Sequence, residues 1–431
     1  MAQVVVIGAG VGGCSAAITA AKAGVDVILL ERNDSLSGLA VWSGKTGGTQ
    51  VEQEMKLMGG GGIQVSDSLE KYALFHAREN GEDLGFIYDV MKAHQAMGDI
   101  LEPAGVTVRL RSRVMDVEKR GNGIKAVVLD NGDRIEGDAF VDATGRTGFQ
   151  EMCATLGQGC VLCALKCPLF GDCVHTSEKA GVSDVAVQSK YAQSGIRYME
   201  ATMLLPDSVA PWIIDELKNG PLPGRYDYTV PKEMIGMDIR DEWLFPDRAP
   251  ETVVATPELP TFIILYTPWL KVHINLPTRI LHRLPGLETA FPATPLSAEG
   301  NAVFVKKTAP CDNTLKVNGL ANLFAGGERA RPASAMTTCQ FLGDLAGHNA
   351  ARVALGLEPI TIPSSTLIGL YINEVKEGSP GHPRGHSIYS REKRPPNPIW
   401  REKGFLTTDK DIIRQRVEDA GIVGIYERRL A

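Results

Sequence analysis

Five of the eight cysteines in this 431-residue chain fall within one short segment, and this clustering is the strongest chemical signal in the sequence. They are Cys153, Cys160, Cys163, Cys167 and Cys173. The middle three follow the spacing Cys-x2-Cys-x3-Cys, and a proline follows the third of them. This spacing is typical of thiolates that wrap around an iron–sulfur cubane, so the segment predicts a 4Fe–4S cluster.

A fourth thiolate is needed, and two cysteines could supply it. We favour Cys153, because Gly157 and Gly159 would let the loop fold back and because the cysteine before a proline is commonly the last ligand. Cys173 is the alternative. The predicted ligands are therefore Cys153, Cys160, Cys163 and Cys167, with Cys173 as a substitute for the first.

Three other interpretations of this segment compete with the cluster. Structural zinc suits four cysteines equally well, although zinc ribbons usually divide their ligands between two distant Cys-x2-Cys knuckles. A redox-active dithiol at Cys160 and Cys163 would leave the other cysteines unexplained. Simple core packing does not account for five cysteines so close together.

A glycine-rich loop near the N-terminus predicts a second redox group. The loop Gly8-Ala-Gly10-Val-Gly12-Gly13 follows an apolar run and precedes a helix of small residues. In such a loop the first glycine allows a tight turn, the second lets the backbone approach a pyrophosphate, and the last lets the helix pack on the strand. Glu31 ends the next predicted strand and would accept a hydrogen bond from a ribose hydroxyl.

Three further features favour FAD over NAD. A Ser-Gly-Leu loop containing Gly38 and Leu39 follows Glu31, and a predicted hairpin leads into Ala143-Thr144-Gly145. Residues 322–328 read Asn-Leu-Phe-Ala-Gly-Gly-Glu and precede a predicted helix. With these motifs the chain resembles the FAD-dependent oxidoreductase superfamily, of the glutathione-reductase-like type, over residues 1–150 and 310–357.

The distal part is similar to the tRNA-modifying flavoproteins of the glucose-inhibited-division and folate-dependent uracil-methyltransferase families. In those families, too, a glycine turn leads to a helix ending in Gly-x-Asn-Ala-Ala-Arg, here residues 347–352. The resemblance implies that the start of the helix near Thr337 faces the flavin and that Val114 contacts adenine. In full, the implied FAD-binding residues are Gly8, Gly10, Gly12, Gly13, Glu31, Arg32, Gly38, Leu39, Val114, Ala143, Thr144, Gly145, Gly326, Gly327, Glu328 and Thr337.

The order of these motifs predicts an α/β protein in which a Rossmann-like FAD-binding domain of glutathione-reductase type is interrupted. The interruptions are the cysteine-rich cluster segment and a mixed α+β substrate domain. The expected parts are the first FAD-binding segment, 1–150; the cluster segment, 151–180; the inserted substrate or cap domain, 181–310; the distal FAD-binding segment, 311–358; and a C-terminal extension, 359–431.

Catalytic residues are not identified by spacing alone, but three cations are candidates. Lys45 stands in a loop that commonly lies over the flavin, where it could stabilise negative charge. Arg329 and Arg331 follow the distal glycine turn and could bind an anionic substrate. For all three residues, a solvated surface charge is the competing interpretation.

Composition narrows the partners. The formal net charge of −6 does not attract nucleic acid over the whole surface, so we expect no nucleic-acid partner. No apolar run reaches the roughly 18 residues of a membrane span, and no secretory leader is recognisable, so we expect a cytoplasmic protein. A homo-oligomer is expected from the habits of this fold.

These observations predict an FAD-dependent oxidoreductase whose 4Fe–4S cluster exchanges electrons with the flavin. Its substrate would be a small molecule or a protein redox partner, and its electron donor a ferredoxin-like protein or a nicotinamide. The alternative is a flavin-dependent RNA-modifying enzyme that uses folate or NAD(P)H. A flavoprotein stabilised by zinc is a further alternative.

Overall fold

The structure is a computed structural model of the 431-residue chain. The described residues are 2–36, 38, 49–79, 82–145, 175–188, 200–221, 225–226, 252–255, 263–267, 281–291, 305–331, 336–374, 404–405, 407 and 409–431. The five clustered cysteines, Leu39 and Lys45 lie outside these residues, so the predictions made for them stay predictions.

The strands described are β1 (Gln3–Ile7), β2 (Asp26–Leu30), β3 (Ala73–Glu79), β4 (Glu82–Tyr88), β5 (Val106–Arg109), β6 (Val114–Arg120), β7 (Gly123–Leu129), β8 (Arg134–Glu136), β9 (Ala139–Asp142), β10 (Val185–Gln188), β11 (Glu200–Leu204), β12 (Arg225–Tyr226), β13 (Thr252–Ala255), β14 (Ile263–Thr267), β15 (Val305–Thr308) and β16 (Leu323–Ala325).

The α-helices described are α1 (Val11–Lys22), α2 (Thr49–Met58), α3 (Gly61–Glu70), α4 (Ala93–Leu101), α5 (Thr176–Lys179), α6 (Pro211–Asn219), α7 (Met336–Ala354), α8 (Leu367–Glu374) and α9 (Lys410–Asp419). Within the described part of the chain, none of the helices is long and apolar enough to cross a membrane.

A five-stranded parallel sheet in the order β16-β9-β1-β2-β5 forms the centre of the fold. Its central strand is hydrophobic along its length, and Val4, Val5 and Val6 are fully buried. Continuous apolar strands of this kind suit a parallel sheet that is covered on both faces. The order places β9 beside β1, the strand of the glycine loop, and places β16 beside β9, although these strands are distant in sequence. The predicted α/β class is confirmed.

The predicted hairpin before Ala143 is part of a three-stranded antiparallel meander, β6-β7-β8. The side chain of Asn322 ties this meander to the parallel sheet. Its Nδ2 donates to the carbonyls of Ile124 and Asp138 at 2.8 and 2.9 Å, and its Oδ1 accepts from the Ile124 amide at 2.8 Å. The first residue of the distal motif therefore holds two sheets together.

Helices α1 and α7 pack against each other through glycines. A Cβ atom added to Gly343 would lie 2.1 Å from the carbonyl oxygen of Gly12, and one added to Gly347 would lie 2.1 Å from that of Ala16. Such distances are shorter than any side chain tolerates, so both positions require glycine. The contact joins the helix of the glycine loop to the helix of the distal motif.

The glycine content of residues 51–85 predicts an irregular region, but the structure has α2, α3, β3 and the start of β4 there. The glycine run in it begins α3. A Cβ at Gly60 would lie 2.3 Å from an Asp344 oxygen, and one at Gly61 would lie 2.6 Å from the carbonyl oxygen of Ser15. The glycines therefore allow the start of α3 to pack closely against its neighbours, which the glycine content alone does not reveal.

Two other segments differ from what the sequence predicts. Apolar residues at helical spacing predict a helix over 87–101, but the helix begins only at Ala93, because Phe86 and Tyr88 alternate inward on β4 and Asp89 then caps a short 3₁₀ turn. The sequence also predicts one strand over 106–119, but the structure has two strands in different sheets, separated where Arg111 has a φ of +51°. Hydrophobic periodicity alone does not locate either break.

The inserted region has both strands and helices. Four antiparallel strands form the sheet β11-β14-β13-β12, and β10 pairs with β15. This agrees with the mixed α+β character predicted for residues 181–310, while the domain boundaries stay a prediction. The C-terminal residues return to the end of α1, where the Leu430 amide donates to the Ala23 carbonyl at 2.9 Å.

Candidate functional site

The glycine loop and the Ala143 turn meet at the carboxyl edge of the parallel sheet. Gly8 has a φ of +99°, and a Cβ atom there would lie 2.5 Å from the carbonyl oxygen of Ala143. The Gly8 amide donates to the Leu30 carbonyl at 2.7 Å, which fixes the loop to β2. The edge of an open α/β sheet beyond its carboxyl ends is where this class of fold binds ligands.

The N-terminus of α1 opens beside this loop. Gly10 is the N-cap, and it has no side chain to satisfy the free amides of the first turn. No acidic residue stands in that turn. The positive end of the helix dipole and the free N–H groups therefore suit a phosphate. Gly38, with a φ of +52°, packs against Gly10, and a Cβ on Gly38 would come within 2.9 Å of the Gly10 Cα.

Glu31 braces this loop from the end of β2. The residue is 5% exposed. One carboxylate oxygen accepts from the Ala9 amide at 2.8 Å, and the other accepts from the Asn33 amide at 2.9 Å. Since a carboxylate offers about four acceptor sites, capacity remains for ribose hydroxyls. Glu31 thus has a structural part that the sequence motif did not predict.

The distal turn reaches the same edge from the other side. The Gly326 amide donates to the Asp142 carbonyl at 2.8 Å, so the turn continues directly from the pairing of β16 with β9. A Cβ on Gly12 would lie 3.0 Å from the Cα of Gly327, which brings the glycine loop and the distal turn together. Glu328 is buried beside this turn, and Thr337 is buried at the start of α7.

Four segments that are far apart in sequence therefore surround one edge of the sheet. They are the glycine loop with Gly38, the Ala143-Thr144-Gly145 turn, the Gly326-Gly327 turn and the start of α7. Val114 is also buried, at the start of the meander. The glycines let these backbone segments approach one another closely, and the first turn of α1 has no side-chain cap. This arrangement fits the pyrophosphate of a dinucleotide such as FAD. The individual contacts with the cofactor remain predictions.

A fully buried arginine lies beneath the distal turn. The Nε of Arg329 donates to an Asp142 carboxylate oxygen at 3.2 Å, and its Nη2 donates to Asp184 at 2.6 Å and to the Ser177 hydroxyl at 2.8 Å. Asp184 in turn contacts Nδ1 of His175. These five residues form a buried polar chain, here called the Arg329 network, that runs from the end of β9 to α5.

The charges of the Arg329 network stabilise one another. Burial raises the pKa of Asp184, but hydrogen bonds from His175 and Arg329 outweigh burial and hold that pKa at about 2. Asp142 uses its other carboxylate oxygen to accept from the Thr144 hydroxyl at 2.6 Å and the Thr144 amide at 3.2 Å. The network therefore also shapes the Ala143-Thr144-Gly145 turn.

Neither arginine proposed from sequence as an anion site is a solvated surface charge. Arg329 is fully buried in the network, and Arg331 is 4% exposed. Arg331 donates to the carbonyls of Asp312 and Ile372 at 3.1 and 3.2 Å and approaches the Cys311 sulfur at 2.8 Å. Their guanidinium groups hold the fold around the distal turn. A catalytic part for either arginine stays a prediction, as does that of Lys45, which lies outside the described residues.

Sequence reasoning missed Asp142, His175 and Asp184. Asp142 could have been found, because it directly precedes the Ala143-Thr144-Gly145 turn and ends a buried strand. No local pattern marks His175 or Asp184 as members of a buried network. Only the packing of α5 beneath the distal turn brings them to Arg329.

Comparison with known proteins agrees with this geometry. Residues 3–152 match the family model described as FAD dependent oxidoreductase. Over this region the chain is similar to FAD-dependent oxidoreductases. The match includes the glycine loop, Glu31, the meander and the Ala143-Thr144-Gly145 turn, so FAD is the cofactor that this site fits.

Two curated relatives share shorter segments with the chain. A methylenetetrahydrofolate–tRNA-(uracil-5-)-methyltransferase TrmFO from Crocosphaera subtropica is 35% identical over 104 residues, which are 24% of this chain and 22% of that protein. The FAD-dependent monooxygenase ntnJ from a Nectria species is 30% identical over 154 residues, 33% of this chain and 36% of that protein. The chain thus matches about a fifth and about a third of these two relatives.

Among solved structures, GidA from Aquifex aeolicus resembles the chain with a TM-score of 0.63. The likeness covers 99% of this chain and 74% of that one, at 16% identity. An identity this low is evidence for a shared fold only. The likeness supports the Rossmann-like α/β fold with its central parallel sheet.

Proposed function

We propose that this protein is an FAD-dependent oxidoreductase in which the flavin exchanges electrons with a 4Fe–4S cluster. The observation that carries the FAD assignment is the convergence of the glycine loop, the Ala143-Thr144-Gly145 turn and the Gly326-Gly327 turn at one edge of the sheet. Bound FAD would supply the two-electron redox chemistry, and the cluster would carry single electrons. The protein groups position the cofactor and set its electrostatics.

The residues around this edge have separate tasks in the proposal. The first-turn amides of α1 bind the pyrophosphate, and Glu31 accepts from ribose hydroxyls while it keeps the loop in place. The Arg329 network holds the Thr144 turn and the distal turn in register with each other. Lys45 would stabilise negative charge at the flavin or on the substrate.

The cluster rests on the sequence of the segment that follows the Ala143-Thr144-Gly145 turn. Its proposed ligands are Cys153, Cys160, Cys163 and Cys167, and the spacing of the last three is the argument for iron and sulfide. The cysteine-rich segment begins a few residues after the Ala143-Thr144-Gly145 turn, which lies at the edge of the sheet where we propose that FAD binds. This short connection favours a cluster that serves the flavin over an independent metal domain.

Chemical analysis of protein purified without oxygen tests both cofactors together. FAD, iron, acid-labile sulfide and zinc are measured on one sample, with an optical spectrum. We expect one FAD per chain, with about four irons and about four sulfides. FAD with zinc and no iron would contradict the cluster and leave the flavin assignment intact. Absence of flavin after reconstitution with excess FAD would contradict the central proposal.

A second candidate is a flavin-dependent RNA-modifying enzyme that uses a folate or a nicotinamide. The observation that favours it is the 35% identity to TrmFO, a protein named for methyl transfer to tRNA uracil. The net charge of −6 argues against nucleic acid only for the surface as a whole, so it does not decide the matter. The expectation that nucleic acid is not a partner is therefore open to test.

Incubation with unmodified tRNA, methylenetetrahydrofolate and NAD(P)H separates the two candidates, since NAD(P)H supplies the two electrons that turn the methylene group into a methyl group. The RNA-modifying enzyme predicts 5-methyluridine in the tRNA and salt-dependent tRNA binding. The oxidoreductase proposal predicts neither, together with flavin reduction by a ferredoxin-like donor or a nicotinamide. If the protein binds tRNA but forms no modified base, that result would count against an RNA-modifying enzyme, whether it uses a folate or a nicotinamide.

A further inference from the structure

One face of α7 carries three buried polar side chains whose hydrogen-bonding capacity is only partly used. Gln340, Asp344 and His348 stand four residues apart along the helix, so they share one face. Gln340 is fully buried, and each of the other two is 1% exposed. Nε2 of Gln340 and Nδ1 of His348 find no hydrogen-bond partner among the described residues. Buried polar atoms are normally paired, so this face calls for a partner.

Asp344, in the middle of the face, uses only one of its two oxygens. Its Oδ1 accepts from the Thr19 hydroxyl and from the Gly62 amide, both at 2.8 Å. Among the described residues, none donates a hydrogen bond to Oδ2. A Cβ atom at Gly60 would lie 2.3 Å from Oδ2, and one at Gly62 would lie 2.8 Å from it. Glycine at both positions therefore keeps side chains away from this oxygen.

The C-terminal segment, residues 420–431, brings a further polar group to the same face. The Gly424 amide donates to the Leu57 carbonyl at 2.8 Å, and the Tyr426 amide donates to the Met58 carbonyl at 3.1 Å. The Tyr426 ring then packs against the His348 ring, with 5.3 Å between their centroids. Tyr426 is 2% exposed, and its hydroxyl has no partner among the described residues.

The Tyr426 hydroxyl is within electrostatic range of Asp344, although no direct bond joins them. Burial, and after it the charge of Asp344, raises the pKa of this hydroxyl well above 10, so it remains a donor at neutral pH. On the Asp344 side, burial raises the pKa of the carboxyl to about 7, while Lys22 on α1 and the glycine amides of α3 lower it. Burial lowers the pKa of His348 to about 4, so its imidazole is neutral there. Polar groups beyond hydrogen-bonding distance of each other are commonly joined by water.

We propose that this face of α7 is a buried water site, in which ordered water joins the Tyr426 hydroxyl and Nδ1 of His348 to Oδ2 of Asp344. Buried waters typically make about three hydrogen bonds to groups that otherwise lack partners, and this site offers three such groups. Water both donates and accepts, so it serves the carboxyl with and without its proton. The inference does not depend on the cofactor or on the reaction proposed above.

The site gives the C-terminal segment a specific task. Its backbone bonds to the end of α2 carry Tyr426 over the Asp344 carboxyl, and water then links the segment to α7. Since α7 also packs on α1, the water site lies where the chain end meets the two helices that join the glycine loop to the distal turn.

A crystal structure of the complete protein tests the site directly. We expect an ordered water within about 3.2 Å of both the Tyr426 hydroxyl and Oδ2 of Asp344. Crystals of Tyr426→Phe should lack this water. A direct bond between Tyr426 and Asp344, or no water density between them in the wild type, would overturn the inference.

Tyr426→Phe also gives two readings in solution that distinguish a water-bonded hydroxyl from an unpaired one. A water-bonded hydroxyl predicts a lower urea midpoint at pH 7, because phenylalanine leaves the water without one partner. It also predicts a higher pKa for Asp344, followed by NMR of the ¹³C-labelled carboxyl, since the ionised form loses a hydrogen-bonded neighbour. An unpaired hydroxyl predicts a higher urea midpoint, because phenylalanine then removes a buried polar atom that had no partner.

Tyr72→Phe is the matched control for the carboxyl titration. Its hydroxyl donates to Asp99 at 3.4 Å near the surface, so its removal should leave the pKa of Asp344 unchanged. Circular dichroism shows whether each variant is folded. A raised midpoint in Tyr426→Phe, or an Asp344 pKa that moves no more than in Tyr72→Phe, would overturn the inference. None of these results bears on whether the protein binds FAD or a metal cluster.

Discussion

Replacing Arg329 by methionine would leave two buried carboxylates without their shared cation. The guanidinium is fully buried and contacts Asp142 at 3.2 Å and Asp184 at 2.6 Å. Methionine has a similar length and no charge, so Arg329→Met removes the ion pairs with little change in packing volume. Breaking a buried pair in this way costs about 3–5 kcal/mol of the free energy of unfolding.

The pKa of Asp184 supports part of that figure. Its value falls from 3.8 to about 2 in the folded protein. Because each tenfold change in acid dissociation is worth about 1.4 kcal/mol, the partners of Asp184 together stabilise the fold by about 2 kcal/mol at neutral pH. The folded pKa is the lower one, so this contribution is present above the unfolded pKa near 4. It is lost as the pH falls toward 2.

Urea unfolding at pH 7, followed by circular dichroism, measures the effect. We expect Arg329→Met to lower the free energy of unfolding by about 3–5 kcal/mol. The control is Arg109→Met, which removes an exposed ion pair with Asp133, 3.0 Å long, and should cost less than about 1 kcal/mol. Adding Asp184→Asn to Arg329→Met should recover part of the loss, since one unpaired charge then disappears.

Two results would refute the reasoning. An equal loss of unfolding free energy in Arg329→Met and Arg109→Met would mean that burial does not increase the contribution of the Arg329 ion pairs to stability. A double variant that is less stable than Arg329→Met would mean that Asp184 is not an uncompensated charge in the single variant. Arg329→Lys, which keeps the charge without the planar fork, should fall between the wild type and Arg329→Met.

Three further changes test the site and its support. Gly347→Ala should destabilise the fold by at least about 1–3 kcal/mol and weaken FAD binding in a fluorescence titration, because its Cβ would lie 2.1 Å from a backbone oxygen of α1. The control Gly98→Ala, with nothing within 4 Å of its Cβ, should stabilise α4 by about 0.5–1 kcal/mol, and equal effects would refute the packing argument. Glu31→Gln should weaken FAD binding about 10-fold or more, because the glutamine side chain has one acceptor oxygen where the carboxylate has two. Unchanged affinity would exclude a part for Glu31 in FAD binding. Burial raises the pKa of Asp344 to about 7, so the folded protein favours the protonated carboxyl. The free energy of unfolding is therefore highest below pH 4 and declines as the pH rises to 7. Asp344→Asn should therefore flatten the loss of stability, up to about 4 kcal/mol, that denaturant unfolding measures between pH 4 and 8, and an unchanged slope would contradict it.

Much of the FAD edge is predictable from sequence, because its motifs are governed by local rules. Gly8 must adopt a positive φ, and the Asn-Gly turn of the meander has its own backbone requirement. An apolar run followed by a glycine loop and a helix of small residues has few other solutions. The order of the parallel strands then brings these motifs to one edge.

The sequence places glycines in α1 and α7, but the reason for them appears only in the fold. The same holds for the glycine run before α3, where composition predicts an irregular segment and the structure has a helix start. Gly60 faces Asp344, a residue almost three hundred positions away. A glycine in the sequence indicates a position where a side chain does not fit, but it does not identify the neighbouring group that excludes the side chain.

Tertiary structure alone decided the state of the charged residues beneath the site. Arg329 looks like a solvated or substrate-binding cation in the sequence, yet it binds Asp184, 145 positions away, and Asp142, 187 positions away. Burial of an ion pair depends on the low dielectric that distant segments create together, and no local pattern encodes it. The sequence by itself predicted the motifs that meet at one edge of the sheet, whereas only the packed fold decided which charges hold these motifs in place.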